Sequence, residues 1–141
     1  MMYRDCIGKS ATYSRTVGES DVYLFGGICG DLHQNHYDEQ FMGNTVYKHR
    51  IAHGMLVLSY MSTAGSLLNQ KMNWNTVSYG YDRVRFIKPV FIGDTLTATE
   101  TVVKVDDDGK YFAEVTCTNQ NGITVAAAIH VSKFIEVKNK I

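Results

Sequence analysis

Hydrophobic and polar positions are distributed unevenly along this chain. Between Gly54 and Gln70 there is no Asp, Glu, Lys or Arg. Met55, Leu56, Leu58, Met61, Leu67 and Leu68 form a broad apolar face, and Ser59, Ser62, Thr63 and Ser66 offer only hydroxyls on the other side. A helix with no charged face must be surrounded, so this stretch predicts a long buried helix entered through Ala52-His53 and ended by Asn69-Gln70-Lys71. Ala64 and Gly65 are small enough for a sheet to approach the helix axis. Buried hydroxyls can bond to carbonyls one turn back.

After residue 74 the period changes to two. Trp74 to Ile87 reads as a strand long enough to bend. Lys88-Pro89 and Gly93-Asp94 bracket Val90-Phe91-Ile92, and Pro89 removes a ladder donor, which marks an edge or a bulge. Thr95 to Val105 alternates threonine with Leu96, Ala98, Glu100 and Val102. Asp107-Asp108-Gly109 reverses the chain into Lys110 to Thr118, and Asn119 to Gly122 turns it again into Ile123 to Ile135.

Ahead of the long helix, Met2-Tyr3-Arg4 reads as a short extended arm. Ala11 to Val17 reads as a first strand with Tyr13, Arg15 and Val17 on one side. Ser20 or Asp21 caps a short helix through Phe25, which Gly26, Gly27 and Gly30 then break. Asn35 or His36 begins a one-turn helix with Asp38 and Glu39 near its positive end, and residues 42–52 read as loop. The order is therefore a short strand, a helical insertion, one buried helix and an antiparallel meander. One sheet over one helix leaves the helix's other side open. Two such sheets paired edge to edge, as a homodimer, would cover it and remove a free edge.

Composition narrows the function. A chain of 141 residues predicts a single domain over 1–141. Zero net charge argues against a nucleic-acid partner. Cys6, Cys29 and Cys117 are odd in number and form no CxxC, which fits a reducing compartment, the cytoplasm. No apolar run follows an amino-terminal basic cluster, so no signal peptide is read, and Gly54 to Leu68 is too short and too rich in Ser and Gly to predict a membrane span. Neither GxGxxG nor GxxxxGK[ST] occurs, so a nicotinamide or ATP site has no support.

The candidate chemistry lies just before the long helix. Asp31 and His36 stand five positions apart behind Gly30, and His53-Gly54-Met55 opens the helix. Taken singly, Asp31 is a turn or cap residue and His36 a satisfied histidine; their joint spacing ahead of that helix start is what points to a site. Adding water to an activated double bond needs a base for the water proton, an acid for the carbon beside the carbonyl, and donors where charge collects on the carbonyl oxygen. An imidazole, with a free pKa near ~6.5, suits His36 to the base role. Asp31 suits proton delivery if burial keeps it protonatable. The Gly54 N–H is one of the orphan donors of a helix start, and a side chain there would crowd the approach. No metal is expected: His33, His36 and Asp38, at i, i+3 and i+5, do not converge on one helix face.

These residues carry a family resemblance. In Gly30-Asp31-x-x-x-x-His36-x-Asp38, Ile51-Ala52-His53-Gly54-Met55 and Arg85-Phe86-x-Lys88-Pro89-Val90-x-x-Gly93-Asp94-Thr95, the chain resembles the MaoC-like (R)-specific enoyl-CoA hydratases. The resemblance implies an α+β hot dog fold, an antiparallel sheet wrapped around a long central helix, in a free-standing single-domain homodimer. It also implies Asp31 and His36 as the catalytic pair and the Gly54 N–H facing the thioester oxygen. Ser62 would line the site, syn addition would give the (R) product, and no cofactor would be needed beyond the coenzyme A of the substrate. The family pattern reads G-D-x-N-P-x-H-x-D. His33 and Gln34 stand here in place of Asn and Pro, which bears on the rigidity of the turn and on substrate selection.

For the acyl-CoA or acyl-carrier thioester itself, Gly30 gives close backbone approach, and His53 and Ser62 flank the reacting part. Lys88 is the choice for the phosphates from a set that includes Lys48, Arg50, Arg83 and Arg85. Bulky Tyr23, Phe25, Met42, Tyr47 and Met61 would shape a short acyl pocket. Two alternatives stand beside hydration. A hot dog thioesterase would place a carboxylate by the central helix, and residues 54–70 contain none. A non-catalytic acyl-thioester-binding module would be compatible with the changed His33-Gln34 pair.

Overall fold

The structure, a computed structural model, describes residues 3–138. A five-stranded sheet wraps one long helix. In chain order the elements are β1 (Ser10–Thr16), α1 (Glu19–Cys29), α2 (Gln34–Tyr37), α3 (Glu39–Gly43), α4 (Gly54–Met72), β2 (Thr76–Phe86), β3 (Thr95–Val105), β4 (Lys110–Thr118) and β5 (Thr124–Phe134). The strand order is β1-β3-β4-β5-β2, and every neighbouring pair is antiparallel. This is the α+β hot dog arrangement.

Alternation decides which face of the sheet meets α4. Leu96, Ala98, Glu100 and Val102 of β3 are buried, as are Tyr111, Ala113, Val115 and Cys117 of β4 and Ala126, Ala128, His130 and Ser132 of β5. Against them α4 buries Leu56, Val57, Tyr60, Met61, Ala64, Gly65 and Leu68. Gly65 is a close-approach position: a Cβ there would lie 2.6 Å from an Oε2 of Glu100. Asn73 ends α4 in the left-handed region at φ 54°, one turn beyond Leu68.

As expected of one sheet over one helix, α4 keeps an open side within the single chain. Met55, Ser59, Ser62 and Ser66 are exposed, because the single sheet covers one side only. Ser59 and Thr63 satisfy their hydroxyls on the carbonyls of Leu56 and Ser59.

Before α4 the structure corrects three boundaries. First, α1 runs on to Cys29 through Gly26 and Gly27. At Gly26 the glycine serves packing: the Tyr37 hydroxyl donates to the Val22 carbonyl at 2.8 Å, and a Cβ on residue 26 would collide with its oxygen. Gly30 then stops the helix at φ 80°, its N–H donating to Gly26 O. Second, the one-turn helix is two short helices. His33 caps α2 by accepting the Asn35 N–H, and Asp38 caps α3 by accepting the Phe41 N–H at 2.8 Å. Third, Tyr3–Cys6 form a 3-10 turn where an extended arm was expected; Met2 lies outside the described residues.

After α4, Val90–Ile92 makes only the isolated bridge Ile51–Phe91 and is not a strand. Bulges between Ser78 and Gly80 and between Asp82 and Arg85 supply the bend expected of β2. No helix among the described residues is long and apolar enough to cross a membrane.

Candidate active site

The helical insertion is fastened at both ends. At its start Asp21 accepts hydrogen bonds from Arg15 Nε, the Gly18 N–H and the Tyr60 hydroxyl, each at 3.0 Å. The Arg15 guanidinium, against the opposing effect of burial, holds this carboxyl at about 2. The contact ties α1 to β1 and to α4. At the other end Arg50, 14% exposed, donates to Glu19 of α1 at 2.8 Å, to the Tyr23 hydroxyl at 3.1 Å and to Glu39 of α3 at 3.2 Å. Arg50 is thus a brace between helices and leaves the group of phosphate candidates.

That brace fixes residues 50–52, and these residues set the imidazole. The Ile51 N–H donates to Asn35 O at 3.0 Å, and the Ala52 N–H to Val90 O at 2.7 Å. The Ile51 carbonyl lies 2.7 Å from His36 Nδ1. A carbonyl only accepts, so Nδ1 carries the proton and the Nε2 lone pair is free. Nε2 faces Asp31 Oδ2 at 3.9 Å. That is too long for a hydrogen bond and short enough for both groups to contact one water.

His53 completes the arrangement. Its ring stacks on that of His36, with centroids 3.7 Å apart and planes 26° apart. Its Nε2–H donates to the Asp31 main-chain carbonyl at 2.9 Å. Its buried Nδ1 has no hydrogen-bond partner among the described residues. His53 therefore holds the peptide of Asp31 and one face of His36. Burial, foremost, pushes the His36 pKa below its ordinary value, and the neighbouring His53 adds to this. The Ile51 bond and the Asp31 carboxylate act in the opposite direction without reversing the shift. His36 is thus neutral at pH 7 and free to accept a proton.

A cavity of about 310 Å³ opens beside this pair, lined among others by His36, Tyr47, Gly54, Phe86 and Lys88. Gly54 is the first residue of α4, and its cap, His53, makes no side-chain bond to the helix start. The N–H groups of Leu56 and Val57 both donate to His53 O; the Gly54 N–H has no intrahelical acceptor by helix geometry. The Phe86 ring packs on Gly54 so closely that a Cβ there would lie 2.5 Å from it.

Of the residues singled out by sequence, the structure gathers Asp31, His36, His53, Gly54 and Lys88 in this region. Asp31 is not among the cavity's lining residues. Its side chain is 54% exposed, so the burial expected to keep it protonatable is not present in the single chain. Ser62 lies on the exposed side of α4, about 12 Å along the axis from Gly54 at ~1.5 Å per residue, and does not line the cavity. Gly30 is exposed and also outside the lining. Tyr47 lines the cavity as expected; Met42 and Met61 are core residues; Phe25 packs edge-on against His53; Tyr23 serves Arg50. Two contributors escaped sequence reasoning. One is the Ile51 carbonyl, which has no side-chain signature. The other is Phe86, whose only signal was its place beside Lys88-Pro89.

Asp31, His36 and His53 also bring potential ligand atoms within 4.8 Å of one another. The two imidazoles are stacked, however, so their in-plane lone pairs run alongside each other and do not converge on a tetrahedral centre. The Nε2 of His53 is already engaged. The set suits proton transfer better than metal ligation.

A long helix wrapped by an antiparallel sheet, with an acid and an imidazole at its amino end, defines a hot dog protein of the hydratase type. Residues 7–127 match the family model described as MaoC like domain. The chain belongs to the MaoC-like family. It is 38% identical over 112 residues to an (R)-specific enoyl-CoA hydratase of Rhodospirillum rubrum, covering 79% of this chain and 76% of that protein. An (R)-specific enoyl-CoA hydratase of Aeromonas caviae is 31% identical over 102 residues, covering 72% of this chain and 74% of that one. Among solved structures, an unliganded (R)-hydratase from Pseudomonas aeruginosa superposes with a TM-score of 0.82 at 25% identity, over 99% of this chain and 92% of that chain.

Proposed function

We propose that this chain adds water to trans-2-enoyl-CoA thioesters to give (R)-3-hydroxyacyl-CoA, and catalyses the reverse dehydration. The observation that carries this reading is the facing of His36 Nε2 and Asp31 Oδ2 at 3.9 Å beside a cavity lined by His36 and Gly54. His36 Nε2 takes a proton from the water held between the two groups. His36 hands that proton to the Asp31 carboxylate across the 3.9 Å gap. The water oxygen bonds to the carbon β to the thioester, and Asp31 delivers the proton to the α carbon, so both groups end as they began. As the thioester oxygen becomes enolate-like, the Gly54 N–H and the positive end of α4 stabilise it; one such donor contributes on the order of 3 kcal/mol. Lys88, at the cavity wall, takes a phosphate of coenzyme A.

A cavity of about 310 Å³ with Tyr47 and Phe86 in its wall favours short acyl chains. The whole chain, residues 1–141, acts as one domain. Two copies pair edge to edge as a homodimer in the cytoplasm, where the free thiols of Cys6, Cys29 and Cys117 stay reduced. The test is a panel of trans-2-enoyl-CoA thioesters of increasing length, followed for loss of conjugation. Turnover falling with chain length is expected. No turnover of any member, with binding of a saturated acyl-CoA, would leave a binding module instead.

The pH dependence has a defined sign. The base works when neutral, and the folded protein holds the His36 pKa below 6.5. The acid limb of kcat/KM is therefore expected to be centred below pH 6.5. An acid limb centred above 6.5 would show that the group titrating there is not this histidine.

A further inference from the structure

Asp31 sits on a strap with little hold on the rest of the protein. Residues 27–34 are all exposed, and Gly30, Asp31, Leu32 and His33 belong to no helix or strand. The Gly30 N–H closes α1, and the His33 carbonyl opens α2 by accepting the His36 N–H at 3.0 Å. The His33 N–H turns back to Asp31 Oδ1 at 3.3 Å. Each of these bonds stays within the strap or its two flanking helices. Among the described residues, one hydrogen bond ties the strap to another element. It runs from His53 Nε2–H to the Asp31 carbonyl, at 2.9 Å.

His53 is well placed to keep that bond in register. It is 2% exposed, it caps α4, and its carbonyl accepts the Leu56 and Val57 N–H groups. Its neighbour Ala52 is fixed to Val90. The imidazole has His36 on one face, and Phe25 and Tyr37 meet it edge-on at 5.0 and 6.0 Å. A ring packed on three sides keeps one orientation. One residue thus touches both proton-transfer groups, Asp31 at its peptide and His36 at its ring, and stands next to Gly54 in the chain.

We infer, resting on the hydration reading above, that His53 is a positioning residue: it registers the Asp31 carboxylate and the His36 imidazole against each other and against the Gly54 N–H. His53 itself exchanges no proton with substrate. Its Nε2–H is committed to a carbonyl, and its Nδ1 is buried. Without the Nε2 bond the strap loses its tie to α4, and a displacement of about 1 Å at a reacting group costs on the order of 100-fold in rate.

Two substitutions separate position from packing. His53→Gln keeps an N–H donor at the reach of Nε2 and loses the ring. His53→Phe keeps a ring against His36 and loses the donor. For a short trans-2-enoyl-CoA, kcat is expected to fall by less than about 10-fold in His53→Gln and by about 100-fold in His53→Phe, with KM little changed. A packing role alone would rank the two the other way. Hydrogen exchange over residues 30–35 is expected to quicken in His53→Phe and to stay near the wild-type rate in His53→Gln. Activity in His53→Phe at or above that of His53→Gln, or unchanged exchange in His53→Phe, would overturn the inference and leave the hydration reading standing. No turnover by the wild type would overturn both. Should a variant fail to fold, heteronuclear NMR of the wild type decides. His53 is expected as the Nε2–H tautomer with a slowly exchanging proton, and the Nδ1–H tautomer would overturn the inference.

Discussion

His36→Ala is expected to lower kcat/KM for hydration of a short trans-2-enoyl-CoA by about 10³-fold, and Asp31→Asn by a similar factor, within the range set by loss of a general acid or base. Each substitution removes one of two groups that face each other across 3.9 Å and that the proposed mechanism sets to work on one water. Their effects belong to one transition state, so the double variant is expected to be scarcely slower than the worse single variant. Asp31 is half exposed, and Asp31→Asn keeps the side chain's shape, so its melting temperature should barely move. His36 is buried and bonded to Ile51, so His36→Ala removes packing as well. Steady-state kinetics beside thermal melts separate the two losses. Wild-type turnover in either folded variant would remove that residue from the mechanism.

The second large effect is expected at Gly54. A Cβ on this residue would lie 2.5 Å from the Phe86 ring, well inside contact distance. Phe86 is half exposed, so the ring can swing outward, and the fold is expected to survive Gly54→Ala. The cavity should suffer, because both residues line it and the added methyl sits where the thioester must approach the Gly54 N–H. A loss of about 100-fold in kcat/KM is expected, the low end of what removing one oxyanion donor does elsewhere. Gly54→Ala combined with Phe86→Ala gives the methyl room. Partial recovery in the pair would assign the loss to the ring. No recovery would assign it to the methyl's crowding of the carbonyl.

Much of this arrangement was legible in the chain, for reasons that can be traced. The uncharged run from Gly54 to Leu68 announced α4, because a helix without a polar face has to be covered. The alternation of Leu96, Ala98, Glu100 and Val102 assigned the inner face of β3, although a glutamate there gave no sign that His130 was its partner. Sequence patterns report which side of a strand a residue takes. They do not report which residues of other strands meet it there.

The same limit explains the misses around the site. Gly26 and Gly27 looked like helix breakers, yet Gly26 is a place where Tyr37 comes close and the helix continues. His33 replaced the usual asparagine and still caps α2 through its own ring nitrogen, so the turn survives a change of residue type. Arg50 looked like a phosphate ligand because it is basic and near the site. Only the positions of Glu19 and Glu39, 31 and 11 residues away, show that its charge is already used. Ser62 was carried over from a resemblance at a helix position, and on the single chain it faces outward.

The product of hydration tests the central claim most directly. A short, straight-chain trans-2-enoyl-CoA would be hydrated by the wild-type chain and the 3-hydroxyacyl-CoA resolved on a chiral phase, with Asp31→Asn run alongside. The account predicts the (R) enantiomer alone from the wild type, and almost no product from the variant. An (S) or racemic product, or undiminished (R) product from Asp31→Asn, would contradict it.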